Sequence, residues 1–194
     1  MASTQDVAVE VRPALPADIP SITAIHRHYV LNTVLTFALE PSSDEATLES
    51  YCQIKSAGLP YIVAQSKEGI IGYCYVSPFS ARLGYRYTLL LSLFCHPDHV
   101  RQGVGKKLLT RMVEVLKNPQ DSKEWCEGGQ LVDYPPRQLL AITSVDVDGP
   151  GQGWSLRDWY VNFGFVQVGQ LKEVGQKKGR WIDTVYLQTT LRDS

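Results

Sequence analysis

The fold is decided by the stretch Leu91-Ser-Leu-Phe-Cys-His-Pro-Asp-His-Val-Arg-Gln-Gly-Val-Gly-Lys-Lys-Leu-Leu-Thr-Arg-Met-Val-Glu-Val-Leu-Lys117. An apolar strand ends at Cys95, a turn that contains Pro97 follows, and Arg101-Gln-Gly-Val-Gly105 opens a helix. The apolar residues of this helix recur with a period near 3.6, which predicts one stripe packed against a core. They are Val104, Leu108, Leu109, Met112, Val115 and Leu116.

The start of this helix is suited to bind an anion, because its first N–H groups have no intrahelical partner and the peptide dipoles favour negative charge there. Gly103 and Gly105 lack a Cβ atom, so a phosphate can approach the backbone closely. A Walker A string is absent, and Leu108 stands where a dinucleotide fingerprint needs its third glycine. The remaining common ligand is the pyrophosphate of coenzyme A; the alternative is an ordinary strand–helix turn with glycines for tight packing.

Composition bounds the class of protein. The chain has 194 residues, enough for one domain with a substantial core, and a net charge of −1, which gives no general attraction to nucleic acid or anionic membranes. No stretch approaches the ~20 apolar residues that span a bilayer, and the polar N-terminus does not resemble a signal peptide. Four scattered cysteines predict reduced thiols in a cytoplasmic protein, and no residue cluster has metal-ligand spacing.

Apolar periodicity predicts a single α/β domain over residues 1–194 with the element order β-α-α-β-β-β-α-β-α-β-β. The expected strands lie at residues 7–11, 61–66, 70–77, 85–95, 139–145, 165–171 and 180–191. The helix before the second strand is expected to begin with a capping box at Ser42, and the last helix to cover 154–162. Residues 118–136 contain several Pro and Gly residues and form an irregular insert.

In motif, order and spacing the chain resembles the GNAT superfamily of N-acetyltransferases. The motif of that family is Q/R-x-x-G-x-G/A; Val100-Arg-Gln-Gly-Val-Gly105 matches both glycines but not the leading Gln or Arg. The likeness is greatest to the phosphinothricin acetyltransferase branch, and residues 28–41, 75–78, 81–85, 99–105, 164–165 and 179–183 carry it. It implies a central mixed, mostly antiparallel sheet flanked by helices and splayed at the acetyl-CoA site.

The resemblance also implies acetyl-CoA as co-substrate, and the lack of metal-ligand spacing predicts that no metal is needed. The pantetheine arm would lie beside the 91–95 strand like an extra strand and bond to its backbone, and the pyrophosphate would lie on the following turn. The implied cofactor contacts are Leu93, Phe94, Cys95, Arg101, Gln102, Gly103, Val104, Gly105 and Lys106.

For catalysis, Tyr160 stands where many GNAT enzymes place a tyrosine that protonates the departing thiolate; a phenol with a pKa near 10 can serve as that acid. The branch has a glutamate as general base on the central strand, but Leu90 occupies that position, and leucine cannot take a proton. His96 is one alternative base, and Asp146 and Asp148 are weaker ones. Otherwise the acceptor needs no base, or the protein does not catalyse.

For the acceptor, Phe37, Arg82 and Tyr85 match family positions around the substrate, and an Arg side chain suits a carboxylate. A family lysine is Ser80 here and a family acidic residue is Arg86, which favours a carboxylate-bearing amino or imino acid over phosphinothricin itself. An analogue such as azetidine-2-carboxylate is one candidate.

The predicted partners are therefore a small amine acceptor and, by resemblance, a second copy of the chain, with the 179–183 hairpin near it in a homodimer. Two further functions stay open. One is acetylation of a polyamine or a protein amine, which Arg82 and Arg86 disfavour. The other is a non-catalytic acetyl-CoA-binding sensor or interaction protein, which Leu90 favours and Tyr160 disfavours.

Overall fold

The structure, a computed structural model, describes residues 9–118, 120, 123–126, 131 and 134–192. These residues form seven strands and four α-helices. The strands are β1 (Glu10–Pro13), β2 (Tyr61–Ser66), β3 (Gly69–Pro78), β4 (Thr88–Cys95), β5 (Gln138–Ser144), β6 (Val166–Lys177) and β7 (Arg180–Thr190). The helices are α1 (Ile19–Asn32), α2 (Asp44–Ser56), α3 (Val104–Lys117) and α4 (Ser155–Val161).

All seven strands join in one sheet of order β1-β2-β3-β4-β5-β7-β6. Only β4 and β5 run parallel; the other neighbours are antiparallel. The parallel ladder is short, joining residues 88–91 of β4 to residues 138–141 of β5. Beyond it the two strands have no partner on the facing side, and we call this gap between residues 92–95 and 142–144 the seam. The predicted mixed, mostly antiparallel sheet is confirmed.

Helices cover both faces of the sheet. The rings of His26 on α1 and Tyr51 on α2 contact Phe94 and Tyr61, so these two helices share one face, which we call the α1 face. None of the four helices is long and apolar enough to cross a membrane; this applies to the described ranges.

The opposite face carries α3 and α4, and we call it the α3 face. A Cβ atom on Gly72 of β3 would lie 3.0 Å from Val104 of α3, so α3 packs almost directly on the strand backbone. A Cβ atom on Gly105 would lie 3.4 Å from the ring of Trp159, which places α4 beside the start of α3. The predicted apolar stripe of α3 is entirely buried, which confirms that this helix forms the core.

Several boundaries differ from those predicted. Ser43 rather than Ser42 caps α2, because the backbone of Ser43 is extended and its hydroxyl accepts a hydrogen bond from the Ala46 amide at 3.2 Å. β4 begins at Thr88, since the preceding Leu83–Tyr85 segment forms a single 3-10 turn.

β6 extends six residues beyond the predicted end at Leu171, reaching Lys177 through an irregularity between Leu171 and Gly175. Residues 7 and 8 of the predicted first strand lie outside the described residues, as do 119, 121–122, 127–130 and 132–133 of the predicted insert. Within that insert Trp125 is buried, and the guanidinium of Arg111 lies 5.1 Å from the centre of its ring.

Candidate active site

The seam exposes backbone groups of β4. The amide of His96 donates to the carbonyl of Ile71 at 2.8 Å, in register with the ladder between β3 and β4. Backbone groups along an antiparallel strand alternate between its two sides. The amide and carbonyl of Phe94 are therefore also directed at β3, whereas those of Leu93 and Cys95 are directed into the seam.

Two of the three predicted pantetheine contacts thus have backbone groups on the open side. Leu93 offers an amide and a carbonyl, and Cys95 offers an amide, since the hydroxyl of Tyr29 already donates to the Cys95 carbonyl at 2.7 Å. Burial raises the pKa of Tyr29 to about 12, so this hydroxyl remains a donor at physiological pH. Phe94 contributes its ring on the α1 face rather than its backbone.

The turn after β4 gathers all six predicted pyrophosphate contacts at one place. Gly103 is the N-cap of α3 and has a φ of 81°, a left-handed conformation that glycine adopts without strain. Nothing lies within 4 Å of where its Cβ atom would be, so the backbone is open to a ligand there. The side chain of Gln102 donates to the carbonyl of Asp98 at 3.1 Å and braces the turn. Val104 is buried, so its side chain serves the core.

Tyr160 lies on α4 at the α3 face, with its ring against Phe165 at 5.2 Å between centroids. Burial, and then the nearby thiols of Cys74 and Cys95, raise the pKa of its hydroxyl far above the ordinary value of 10. No residue in the described ranges forms a hydrogen bond with that hydroxyl. The side chain therefore holds a proton across the physiological pH range, close to the open edge of β4.

Leu90 lies on the other face of the sheet. It pairs with Ser77 of β3 and with Leu140 of β5. Strand alternation puts Leu90 on the same face as Phe94, which is the α1 face. The position that carries the general base in the family is therefore occupied by an apolar side chain.

The three alternative bases lie elsewhere or already have partners. His96 stands six residues further along the chain, roughly 20 Å away if the strand is extended. It caps the next turn by accepting a hydrogen bond from the Asp98 amide at 3.3 Å. Asp146 and Asp148 are both held by the guanidinium of Arg180, Asp146 at 3.2 Å. Sequence reasoning identified these residues by type, and the folded chain adds their positions and partners.

The predicted acceptor residues fall into two places. Phe37 lies against β6, where a Cβ atom on Gly175 would overlap its ring. Arg82 and Tyr85 lie in the turn between β3 and β4, both exposed, and the Tyr85 ring meets Phe79 at 5.5 Å. The structure brings Arg82 and Tyr85 together in one turn, whereas Phe37 lies at β6.

Two further polar side chains lie on the α1 face and were not predicted. Lys177, at the end of β6, is buried, and its Nζ donates to the carbonyl of Thr36 at 2.7 Å. The His26 ring is half-buried against Phe94. No sequence pattern marks Lys177 as buried; its spacing of two from Gly175 only puts both residues on one face of the strand.

In sequence, the chain is similar to known acetyltransferases. The acetyltransferase (GNAT) family model matches residues 24–130. The phosphinothricin N-acetyltransferase of Alcaligenes faecalis is 38% identical over 95% of this chain and 83% of its own length. The L-methionine sulfoximine/L-methionine sulfone acetyltransferase of Salmonella typhimurium is 28% identical over 93% of this chain and 94% of its own.

Solved structures show the same architecture. The yncA structure from Salmonella typhimurium, which contains acetyl-CoA, superposes with a TM-score of 0.80 at 25% identity, covering 96% of this chain and 95% of that one. The phosphinothricin acetyltransferase of Sinorhizobium meliloti, in complex with acetyl-CoA, gives a TM-score of 0.77 at 32% identity, covering 94% and 88%. Within the described ranges no cluster of His, Cys, Asp and Glu side chains could hold a metal ion.

Proposed function

Because the chain belongs to the GNAT acetyltransferase family and is thus an N-acetyltransferase, we propose that its acceptor is the amino or imino group of a small, carboxylate-bearing, amino-acid-like compound. Phosphinothricin, methionine sulfone and azetidine-2-carboxylate represent the class. Two relatives are named for acceptors of this kind, phosphinothricin and methionine sulfoximine or sulfone.

The observation that carries the proposal is the seam with its adjoining glycine turn. The backbone groups of Leu93 and Cys95 would hold the pantetheine arm, and the 101–106 turn would hold the pyrophosphate. Acetyl-CoA supplies the acetyl group, whose carbonyl carbon bonds to the acceptor nitrogen as its bond to sulfur breaks. Burial raises the pKa of the Cys95 thiol to about 11, so Cys95 is a poor nucleophile and direct transfer is favoured over transfer through the enzyme.

Tyr160 acts as the acid in this proposal. Its hydroxyl keeps its proton because burial disfavours the phenolate, and it lies beside Cys95 at the α3 face. The proton passes to the sulfur atom that departs. The raised pKa does not prevent this transfer, because the thiolate is a stronger base when it too is removed from water.

The proton lost by the acceptor nitrogen has no carboxylate to receive it at Leu90. We therefore propose that the acceptor attacks as its neutral amine, having given one proton to water beforehand; after the C–N bond forms, the remaining N–H proton returns through water to the Tyr160 oxygen, which has given its own proton to sulfur. An acceptor with a lowered amine pKa would be the best substrate. The presence of Leu90 at this position is also the one observation that favours the second candidate function, a non-catalytic acetyl-CoA sensor.

We also propose a homodimer in the cytoplasm. β6 is an edge strand with Val166 and Val168 exposed, and Trp181 of the adjoining hairpin is 62% exposed. Exposed apolar side chains on an unpaired edge are typical of an interface. The four cysteines are free thiols, which suits a reducing compartment.

The test measures thiol release from acetyl-CoA with phosphinothricin, methionine sulfone, azetidine-2-carboxylate and spermidine as acceptors. We expect turnover with at least one carboxylate-bearing acceptor and a rate that rises with pH as its amine loses its proton. Turnover of spermidine alone would contradict the proposed acceptor class. Acetyl-CoA binding without turnover of any acceptor would favour the sensor instead.

A further inference from the structure

Lys177 has hydrogen-bonding capacity that the described chain does not use. The residue is 5% exposed, and its ammonium donates one hydrogen bond, to the Thr36 carbonyl at 2.7 Å. An ammonium group has three N–H donors. No carboxylate in the described ranges pairs with it, and, besides burial, the charged group that lowers its pKa is Lys178, which is basic.

A buried ammonium without a counter-charge is unfavourable. Burial and then the charge of Lys178 lower the pKa of Lys177, and burial and then Lys177 lower the pKa of His26. Both pKa values are lowered for the same reason, because each group is removed from water and lies near another basic group. An anion beside Lys177 would neutralise its positive charge and accept hydrogen bonds from the remaining N–H groups.

The location of Lys177 in the fold indicates which anion would bind it. Lys177 lies on the same strand face as Gly175, on which the Phe37 ring packs, and its partner Thr36 directly precedes Phe37. Its other neighbour, His26, meets Phe94 edge-on at 5.3 Å. The lysine is thus on the α1 face.

The glycine turn that would hold the cofactor pyrophosphate begins α3, which packs on the opposite face. The anion that reaches Lys177 is therefore not this pyrophosphate. The family position occupied by Leu90 also lies on the α1 face, and this is the face from which an acceptor would approach the seam.

We propose that Lys177 binds the carboxylate of the acceptor and sets the preference of the enzyme for amines that carry one. Two N–H groups of Lys177 donate to the carboxylate while Thr36 keeps the third. Phe37, 39% exposed, forms the rim over which the acceptor reaches the ammonium. This inference rests on the proposed function and assigns a residue to it.

Arg82 was the cation predicted from sequence for this role. It lies in an exposed turn, where water screens an ion pair and reduces its free energy. A buried ammonium is screened far less, so the effect of removing Lys177 on acceptor preference should exceed that of removing Arg82.

The experiment compares one carboxylate-bearing acceptor with its primary amide, in which the anion is replaced by a neutral group. For the wild type we expect kcat/KM to favour the acid. In Lys177→Met we expect kcat/KM for the acid to fall roughly 100-fold, mainly through KM, while that for the amide changes little. Lys178→Met removes an exposed charge at the adjacent position and should keep the wild-type preference.

Lys177→Gln distinguishes the role of the positive charge from that of the hydrogen bond to Thr36. The amide side chain can still donate to the Thr36 carbonyl but carries no charge. We expect this variant to lose the preference as Lys177→Met does, with the affinity for acetyl-CoA unchanged in both. If Lys177→Gln retains the wild-type preference, Lys177 only braces the loop and the inference is wrong. Should the Met variant not fold, Gln and Arg at this position decide the question, with Arg retaining the preference.

The two proposals fail in different ways. If the wild type acetylates no carboxylate-bearing amine, the proposed acceptor class and the role of Lys177 both fall before any variant is made. If the wild type prefers the acid and all Lys177 variants do so equally, only the role of Lys177 is overturned.

Discussion

The two residues on which the proposed proton transfers depend, Tyr160 and Leu90, lie on different faces of the sheet. Tyr160 retains its proton on the α3 face because burial disfavours the phenolate, whereas on the α1 face the family base is replaced by Leu90. In the proposed mechanism Tyr160 therefore gives a proton to the departing sulfur, whereas Leu90 cannot take one from the acceptor.

Replacement of Tyr160 by Phe removes the proton donor while keeping the buried ring. We expect kcat to fall roughly 100-fold, the lower range for loss of a general acid. The affinity for acetyl-CoA should be unchanged, and so should the melting temperature, because no described residue bonds to the lost hydroxyl. Steady-state kinetics, calorimetric titration and thermal unfolding measure these three quantities; an unchanged kcat would exclude Tyr160 as the acid.

The placement of Phe37 depends on the missing side chain of Gly175. An added Cβ atom would overlap the ring, so in Gly175→Ala the half-exposed ring must swing away. We expect KM for the acceptor to rise about 10-fold and the free energy of unfolding to fall by about 1 kcal/mol. Gln176→Ala, on the opposite side of the strand, is the matched control, and equal KM values in the two variants would contradict a role for Phe37.

His26 should make stability depend on pH. Its pKa lies below the ordinary value of 6.5, so the folded state binds fewer protons than the unfolded state between those two values. Its contribution is fully present above pH 6.5 and is lost as the pH falls through the folded-state pKa. Urea unfolding at pH 7.5 and 5.0 should show a smaller loss of stability in His26→Gln than in the wild type; equal losses would show that another group titrates.

Among the secondary-structure elements, the start of α3 joins the proposed cofactor site to the core. A Cβ atom on Gly105 would lie 3.4 Å from Trp159 and 3.5 Å from the Cys95 sulfur, which are ordinary contact distances. The branched side chain of Val would exceed that space and push α4 away from β4.

Gly105→Val should therefore weaken acetyl-CoA binding by at least about 10-fold, because the clash moves the walls of the site and costs roughly 1–3 kcal/mol. Gly105→Ala is the matched control and should bind acetyl-CoA several times more tightly than the Val variant. Isothermal titration gives both dissociation constants, and equal values would show that the space beside Trp159 does not matter.

Elements with strong local patterns were predictable from sequence. The α3 stripe repeats every 3.6 residues, and the glycine turn before it has a chemical signature, so helix, turn and central strand were all identified. Weak local signals misplaced boundaries, as where Ser42 and Ser43 both suit a cap and only backbone conformation selects one.

Features that depend on tertiary contacts were not predictable. The burial of Lys177 arises because the loop containing Thr36, far away in sequence, covers the end of β6. The pairing of Asp146 and Asp148 with Arg180 likewise joins segments more than 30 residues apart. Neither relationship leaves a period or motif in the sequence.

For the assembly, the exposed edge of the sheet is the place where we propose the dimer interface. Trp181→Glu places a charge in the proposed interface, and we expect the protein to sediment as a monomer at concentrations where the wild type is a dimer. Leu48→Glu on α2, also a partly exposed apolar position, should leave the dimer intact. Analytical ultracentrifugation tests both, and a monomeric wild type would contradict the interface.

The seam also has a consequence for hydrogen–deuterium exchange. Amides of β4 alternate between the β3 ladder and open space, so in the free protein Ser92 and Phe94 should resist deuteration while Leu93 and Cys95 take it up quickly. A bound pantetheine arm would act as the missing neighbour and protect the second pair as well. The every-other-residue pattern would then give way to uniform protection, so the strand itself reports whether the cofactor is in place.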